Sequence, residues 1–333
     1  MPALAPRLPL RVVALVVSTI GVLSTSAHAQ RTFSSLTMFG DSFSDVGNAQ
    51  ALFFPTPVPA RFSNGPVWSD YLAGAIGRSS DAVAAFVPAR ATGVYAIGGA
   101  VTAPSSPTST FAQIGRWCLF TAGACTRAAD PLGLYTLFAG GNDVRSAAAL
   151  TTDAARRTAT VTAAQNLVVQ AQSLVGLGAR SILFAYLPDL GLTPDRIGTP
   201  VSGTLSDLSR LFNATLESGI NQLRTGAPTA SFFDLRLDNL FANLLAQPAS
   251  FGFTNTTGSC VAAGQLPSCT GYVFFDGLHP SSAAHAQVAS AAYQLVAFDR
   301  NVAVVPEPAG IALFAAGLVG LALVAVVRRS RAD

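Results

Sequence analysis

The sequence predicts a doubly wound α/β domain built on a parallel sheet, and three observations lead there. Short apolar runs recur without polar alternation, as strands buried on both faces require. Segments of helical period lie between them, and a strand–helix–strand–helix order implies a parallel sheet with crossovers. Two of the runs are followed at once by glycine-rich turns bearing polar side chains, which is where such sheets place their chemistry.

The predicted strands are Leu36 to Phe39, Leu134 to Phe138, Ile182 to Tyr186, and Phe232-Phe233 ahead of Asp234. Val161, Ala164, Leu167, Val168, Ala171, Leu174 and Val175 keep a helical period, with Gly176 or Gly178 as the stop. Leu208, Leu211, Phe212, Leu216, Ile220 and Leu223 repeat the pattern, with Ser206 as the expected N-cap. Phe53 to Asn64 contains Pro55, Pro57 and Pro59 and reads as a surface loop beside the cleft, because proline cannot feed a ladder. Thr193 to Gly203 is a second Gly/Pro-rich connection, with no readable functional signal. Residues 30–300 therefore read as one domain, without internal repeats.

The ends of the chain read as targeting segments. Residues 1–29 carry Arg7 and Arg11, an apolar run from Val12 to Leu23, and the small-residue ending Ala27-His28-Ala29, the pattern of a secretory signal peptide cut by signal peptidase before Gln30. After a linker at 301–308 that contains Pro306-Glu307-Pro308, residues 309–327 are uncharged, and 328–333 are rich in arginine. As a helix the uncharged stretch would span about 28 Å, enough for a bilayer core, with the basic tail held on the cytoplasmic side. This ending resembles the PEP-CTERM sorting signal of Gram-negative bacteria, which implies recognition by an exosortase. The expectation is a protein exported in a Gram-negative bacterium, anchored in the inner membrane before sorting, then held at the envelope surface or released.

Composition narrows the chemistry. The formal charge of +3 belongs to the arginines of the two ends, and the body between is slightly acidic with scattered arginines, which gives no footing for nucleic acid. There is no lysine, so a Walker-type phosphate loop, a Schiff base and a Ser-Lys dyad are excluded. The four cysteines form two local pairs. Of three pairings, Cys118–Cys125 with Cys260–Cys269 is the expected one, each closing a short loop for about 2.5 kcal/mol. Neither spacing suits zinc, and no metal or cofactor is expected.

Three distant patches fit one reaction: Gly40-Asp41-Ser42, Gly140-Gly141-Asn142-Asp143 and Asp276-Gly277-Leu278-His279-Pro280. A serine hydroxyl needs an imidazole to take its proton, and the imidazole needs a carboxylate to fix its tautomer. Asp276 and His279 can supply both, and Asn142 with a glycine turn can supply oxyanion donors. Taken singly, Ser42 could be a helix cap, Asn142 and Asp143 turn residues, and Gly98-Gly99 a positive-φ pair. His285 is the other histidine of the mature chain and reads as a surface or packing residue. The Gly-x-Ser-x-Gly elbow of α/β-hydrolases does not occur.

Phe39-Gly40-Asp41-Ser42-Phe43-Ser44-Asp45-Val46-Gly47-Asn48, Tyr95-Ala96-Ile97-Gly98-Gly99-Ala100, Gly140-Gly141-Asn142-Asp143 and Asp276-Gly277-Leu278-His279-Pro280-Ser281 stand in this order, and together they resemble the blocks of the GDSL or SGNH hydrolases. Arg61 to Trp68 resembles a segment that often follows the first block. The resemblance implies a flavodoxin-like three-layer fold, Ser42 as nucleophile, His279 as base and Asp276 as orienting carboxylate. It also implies an oxyanion hole of the Ser42 N–H, Gly99 (with Gly98 as the neighbouring alternative) and Asn142. An esterase or lipase acting on acyl lipids, short esters or acylated polysaccharides is expected, with a slight leaning to the last from the sorting tail. The competing expectation is an envelope or matrix binding protein on the same fold with weak or no hydrolysis.

Overall fold

In the computed structural model, residues 30–53 and 60–299 are described. The predicted signal segment, the linker, the apolar stretch 309–327, the basic tail and Pro55, Pro57 and Pro59 lie outside them. Among the described residues no helix is long and apolar enough to cross a membrane.

The chain runs β1 (Leu36–Gly40), α1 (Asn48–Phe53), α2 (Trp68–Ala75), β2 (Gly93–Val94) and α3 (Thr110–Trp117). A small hairpin of β3 (Phe120–Thr121) and β4 (Ala124–Cys125) follows, then β5 (Leu134–Phe138), α4 (Gly141–Ala148), α5 (Asp153–Gly176), β6 (Ser181–Ala185) and α6 (Ser202–Gly226). The last elements are β7 (Ser231–Leu235), α7 (Leu237–Ala246), β8 (Asn255–Ser259), β9 (Tyr272–Phe274) and α8 (Ser282–Phe298).

Five strands form one parallel sheet in the order β2-β1-β5-β6-β7, with Leu36 to Gly40 paired residue for residue with Leu134 to Phe138. Strand order therefore reverses between β1 and β5. Right-handed crossovers put the helices of the β1–β2 connection on one face and those of the β5–β6–β7 connections on the other. Packing agrees with this: α2 lies against α8, while α5 lies against α6, α4 and α3. Strands covered on both faces have no polar side to present, and every residue of β1 and β5 is buried.

Helix α5 keeps the anticipated period, with Ala164, Leu167, Ala171 and Leu174 buried and Val161, Val168 and Val175 along its half-buried flank. Helix α6 buries Leu208, Phe212, Leu216, Ile220 and Leu223 but starts one turn earlier than expected, at Ser202. Ser206 is thus inside the helix and not its N-cap, and its hydroxyl donates to Asp189 Oδ1 at 2.6 Å. The short β8–β9 pair has no signal in the sequence, since Asn255 to Ser259 carries no apolar run. Disulfides join Cys118 to Cys125 across the base of the β3–β4 hairpin and Cys260 to Cys269 in the β8–β9 connection.

Candidate active site

The site is built at the carboxyl ends of β1 and β5, where the strand order reverses. The end of β1 is held tightly. The Gln113 side chain on α3 accepts from Gly40 N and donates to Gly40 O, both at 2.8 Å. A Cβ at position 40 would lie 2.3 Å from the Phe138 carbonyl on β5, so only glycine lets the two strands approach this closely. The chain then turns, with Ser44 N donating to Asp41 O, and presents a nearly buried Ser42.

The connection from β9 to α8 brings the imidazole. Asp276 Oδ1 accepts the backbone N–H groups of Leu278 and His279 at 2.8 and 2.7 Å, folding the loop over its own carboxylate. That leaves Oδ2 for His279 Nδ1 at 2.8 Å, and His279 Nε2 stands 2.8 Å from Ser42 Oγ. Because a carboxylate only accepts, Nδ1 carries the proton and Nε2 is the acceptor facing the serine. Burial raises the Asp276 pKa, but the hydrogen bond and charge of His279 outweigh it and hold the carboxyl below its ordinary range.

Phe62 covers this imidazole, ring centroids 5.1 Å apart. Its neighbours brace the same loop: Ser63 Oγ donates to Pro280 O at 3.0 Å, and Asn64 Oδ1 accepts from Ser282 N at 2.8 Å. Arg61 makes a two-pronged pair with Asp70 on α2 that anchors the segment.

The Gly98-Gly99 turn is fastened to the serine turn by Asp45. This buried carboxylate accepts from Gly47, Asn48, Ala49 and Gly98 N–H groups at 2.7–3.0 Å. Burial pushes its pKa up despite those four donors. The Gly98 N–H is thereby committed to Asp45, and Gly99, at φ +80°, is the glycine available as a donor. Phe62 also explains Gly98, since a Cβ there would lie 2.4 Å from its ring.

Asn142 sits in the first turn of α4 and gives one amide hydrogen to Ala100 O at 2.9 Å, which leaves its second for a ligand. Asp143 is not a local turn residue as its sequence context suggests. Its carboxylate accepts from Thr102 N and Oγ1 and ties α4 to the loop of Gly99. The Gly140 turn has φ +115°, with the Phe212 ring where a Cβ would be.

A void of about 20 Å³ remains between Asp41, Ser42, Phe43, Asn142 and Arg145. Burial pushes the Asp41 carboxyl up to about 7. His285 lies apart from this void, fully buried, its ring edge-on to Phe43 at 5.4 Å and neither nitrogen hydrogen-bonded. Burial pushes its pKa down to about 3, so it is a neutral packing residue.

Ser42, His279 and Asp276 thus form one hydrogen-bonded line, with Gly99 and Asn142 on linked elements beside it. Gln113, Asp45, Phe62 and the ion pair of Arg145 with Asp195, 2.7 Å apart, shape the site without a signal of their own in the sequence, although Asp45 and Phe62 fall inside the blocks quoted above.

A parallel α/β sheet that brings a serine, an imidazole and a carboxylate into one line at its switch point has the arrangement of a serine hydrolase. The profile of the GDSL-like lipase/acylhydrolase family matches residues 36–292, and the chain belongs to that family. It is 27% identical over 340 residues to a GDSL esterase/lipase of Arabidopsis thaliana, covering 84% of this chain and 92% of the plant protein. It is 28% identical over 336 residues to esterase EstA of Pseudomonas aeruginosa, covering 86% of this chain but 50% of EstA. An uncharacterised Pseudomonas putida protein is 33% identical over 201 residues, 56% of this chain and 32% of its own length. The chain therefore spans a third to a half of these two bacterial relatives. Among solved structures, the acetylxylan esterase Axe2 of Geobacillus stearothermophilus is similar at 16% identity and a TM-score of 0.44, over 80% of this chain and 96% of its own.

Proposed function

We propose that this protein is an exported serine esterase that cleaves carboxylic esters through an acyl-enzyme. The observation carrying the proposal is the unbroken line Asp276–His279–Ser42, with 2.8 Å at each junction, drawn from segments more than two hundred residues apart. Ser42 Oγ attacks the ester carbonyl while His279 Nε2 takes its proton, and Asp276 stabilises the imidazolium that results. The tetrahedral oxyanion is held by the N–H groups of Ser42 and Gly99 and the second Asn142 amide hydrogen. His279 then returns the proton to the departing alcohol, and water repeats the sequence on the acyl-enzyme.

Export rests on the sequence of residues 1–29, and retention at the envelope on the Pro-Glu-Pro ending, with signal peptidase and exosortase as processing partners. Two disulfides suit an oxidising compartment. Ser42→Ala tests the catalytic reading. Hydrolysis of p-nitrophenyl butyrate and labelling by a fluorophosphonate should both vanish while the circular dichroism spectrum is kept, a loss of about 10⁴-fold or more. A labelled, active alanine variant would refute it.

A further inference from the structure

We propose that the acyl group of the substrate is a medium-length alkyl chain, of the octanoyl class, seated in the cavity between α6 and α7. This rests on the serine-esterase reading. The void at Ser42 is small, about 20 Å³. Next to it lies a cavity of about 360 Å³, in the lower part of the 300–1,000 Å³ range usual for small-ligand pockets. The two share the side chains of Phe43, Leu187, Pro188, Leu190 and Leu278 as a common wall. Phe43 directly follows the serine and Leu278 directly precedes the imidazole. An acyl chain bound to Ser42 Oγ therefore enters the larger cavity by passing those two residues.

The cavity changes character along its length. Its buried lining is mainly apolar, with Leu187, Leu190, Phe241 and Phe274 joining Phe43, and the buried Asn213 and Ser209 spend their polar atoms on the Leu187 and Leu190 backbone. Its outer rim carries Arg210, Glu217, Arg236 and Asp238, and Arg236 pairs with both Glu217 and Asp238. A hydrocarbon gains by covering the inner part and loses by displacing hydrated charges at the rim. That profile selects a chain long enough to fill the floor but not long enough to cross the rim. An acetyl group leaves the floor empty, and a palmitoyl chain overruns it.

The test uses the full chain and p-nitrophenyl acetate, butyrate, octanoate and palmitate. Octanoate should exceed acetate in kcat/KM by about tenfold or more, the return on roughly two buried methylenes, with palmitate no better than octanoate. Ala242 on α7 and Ala214 on α6 line the cavity from exposed positions away from Ser42. Ala242→Trp and, separately, Ala214→Trp should remove the octanoate advantage and leave acetate turnover as in the wild type. Octanoic acid should slow fluorophosphonate labelling of the wild type but not of the tryptophan variants. A fall in kcat/KM from acetate onward, or an octanoate advantage that survives both plugs, overturns the cavity assignment. Loss of acetate turnover and labelling in the wild type itself would instead strike the esterase reading.

Discussion

Asp276→Asn isolates the role of the carboxylate with little structural disturbance. The asparagine keeps an oxygen where Oδ1 accepts the N–H groups of Leu278 and His279, so the loop turn survives. At the Oδ2 position it places an NH₂ that donates to Nδ1, which turns the imidazole to the tautomer with Nε2 protonated. Nε2 then cannot accept the Ser42 proton. Two unit charges 2.8 Å apart attract by about 6 kcal/mol at an effective dielectric of about 20. The Asp276 side chain is 34% exposed, so solvent screening reduces this to about 3 kcal/mol. Inverting the Nδ1 hydrogen bond adds about 1–3 kcal/mol. At 1.36 kcal/mol per decade, kcat should fall by about 10³–10⁴-fold. The assay is steady-state turnover of p-nitrophenyl butyrate, with thermal unfolding as the control on the fold. A variant that stays within about tenfold of the wild type, with an unchanged melting temperature, would refute the reasoning.

Asn142→Ala should lower kcat by about 10²–10³-fold with little change in KM, because the lost donor acts on the developing oxyanion, and unchanged kcat would remove Asn142 from the site. His285→Leu should make the protein more acid-stable. The buried ring titrates near 3 in the fold against 6.5 when unfolded, so its contribution is complete above pH 6.5 and is lost as pH falls toward 3. Asp41 acts in the opposite direction, since a carboxyl that binds its proton near 7 in the fold and near 3.8 when unfolded favours the fold as pH falls between those values. Removing the histidine abolishes the first effect and leaves that of Asp41 in place, so the variant should gain about 2 kcal/mol on the wild type between pH 7 and pH 5. Parallel stability curves from urea titrations at the two pH values would contradict this.

What the sequence made legible follows from local chemistry. Strands β1, β5 and β6 are buried almost throughout, and β7 keeps the apolar pair Phe232-Phe233, so their runs need no tertiary information to be read. Asp276 and His279 are legible together because a three-residue turn suffices to pair them. The start of α6 was misplaced because Ser206 looks like a cap only until Asp189, seventeen residues away, claims its hydroxyl. Gln113 and Asp45 show the same limit more sharply. Gln113 takes its purpose from Gly40, 73 residues away, and Asp45 adds to its local turn donors the N–H of Gly98, 53 residues on. No period or spacing encodes such contacts.

The unread connection from Thr193 to Gly203 shows what the site needs beyond its reacting groups. Asp195 N donates to Gly277 O at 2.9 Å, in the loop that carries Asp276 and His279. Its carboxylate receives Arg145 Nη2 at 2.7 Å, and Arg145 stands on α4 one turn from Asn142. The pair is partly exposed, so it contributes little to stability. Its consequence is geometric: α4, which holds the proposed oxyanion donor Asn142, and the loop that holds the proposed base His279 share one brace. Gly277 fits this arrangement because a Cβ there would lie 3.0 Å from the Asp195 Cβ, and a larger residue would push the brace outward. The glycine between Asp276 and His279 is therefore a condition on how closely this brace can hold the His279 loop against the Thr193–Gly203 connection.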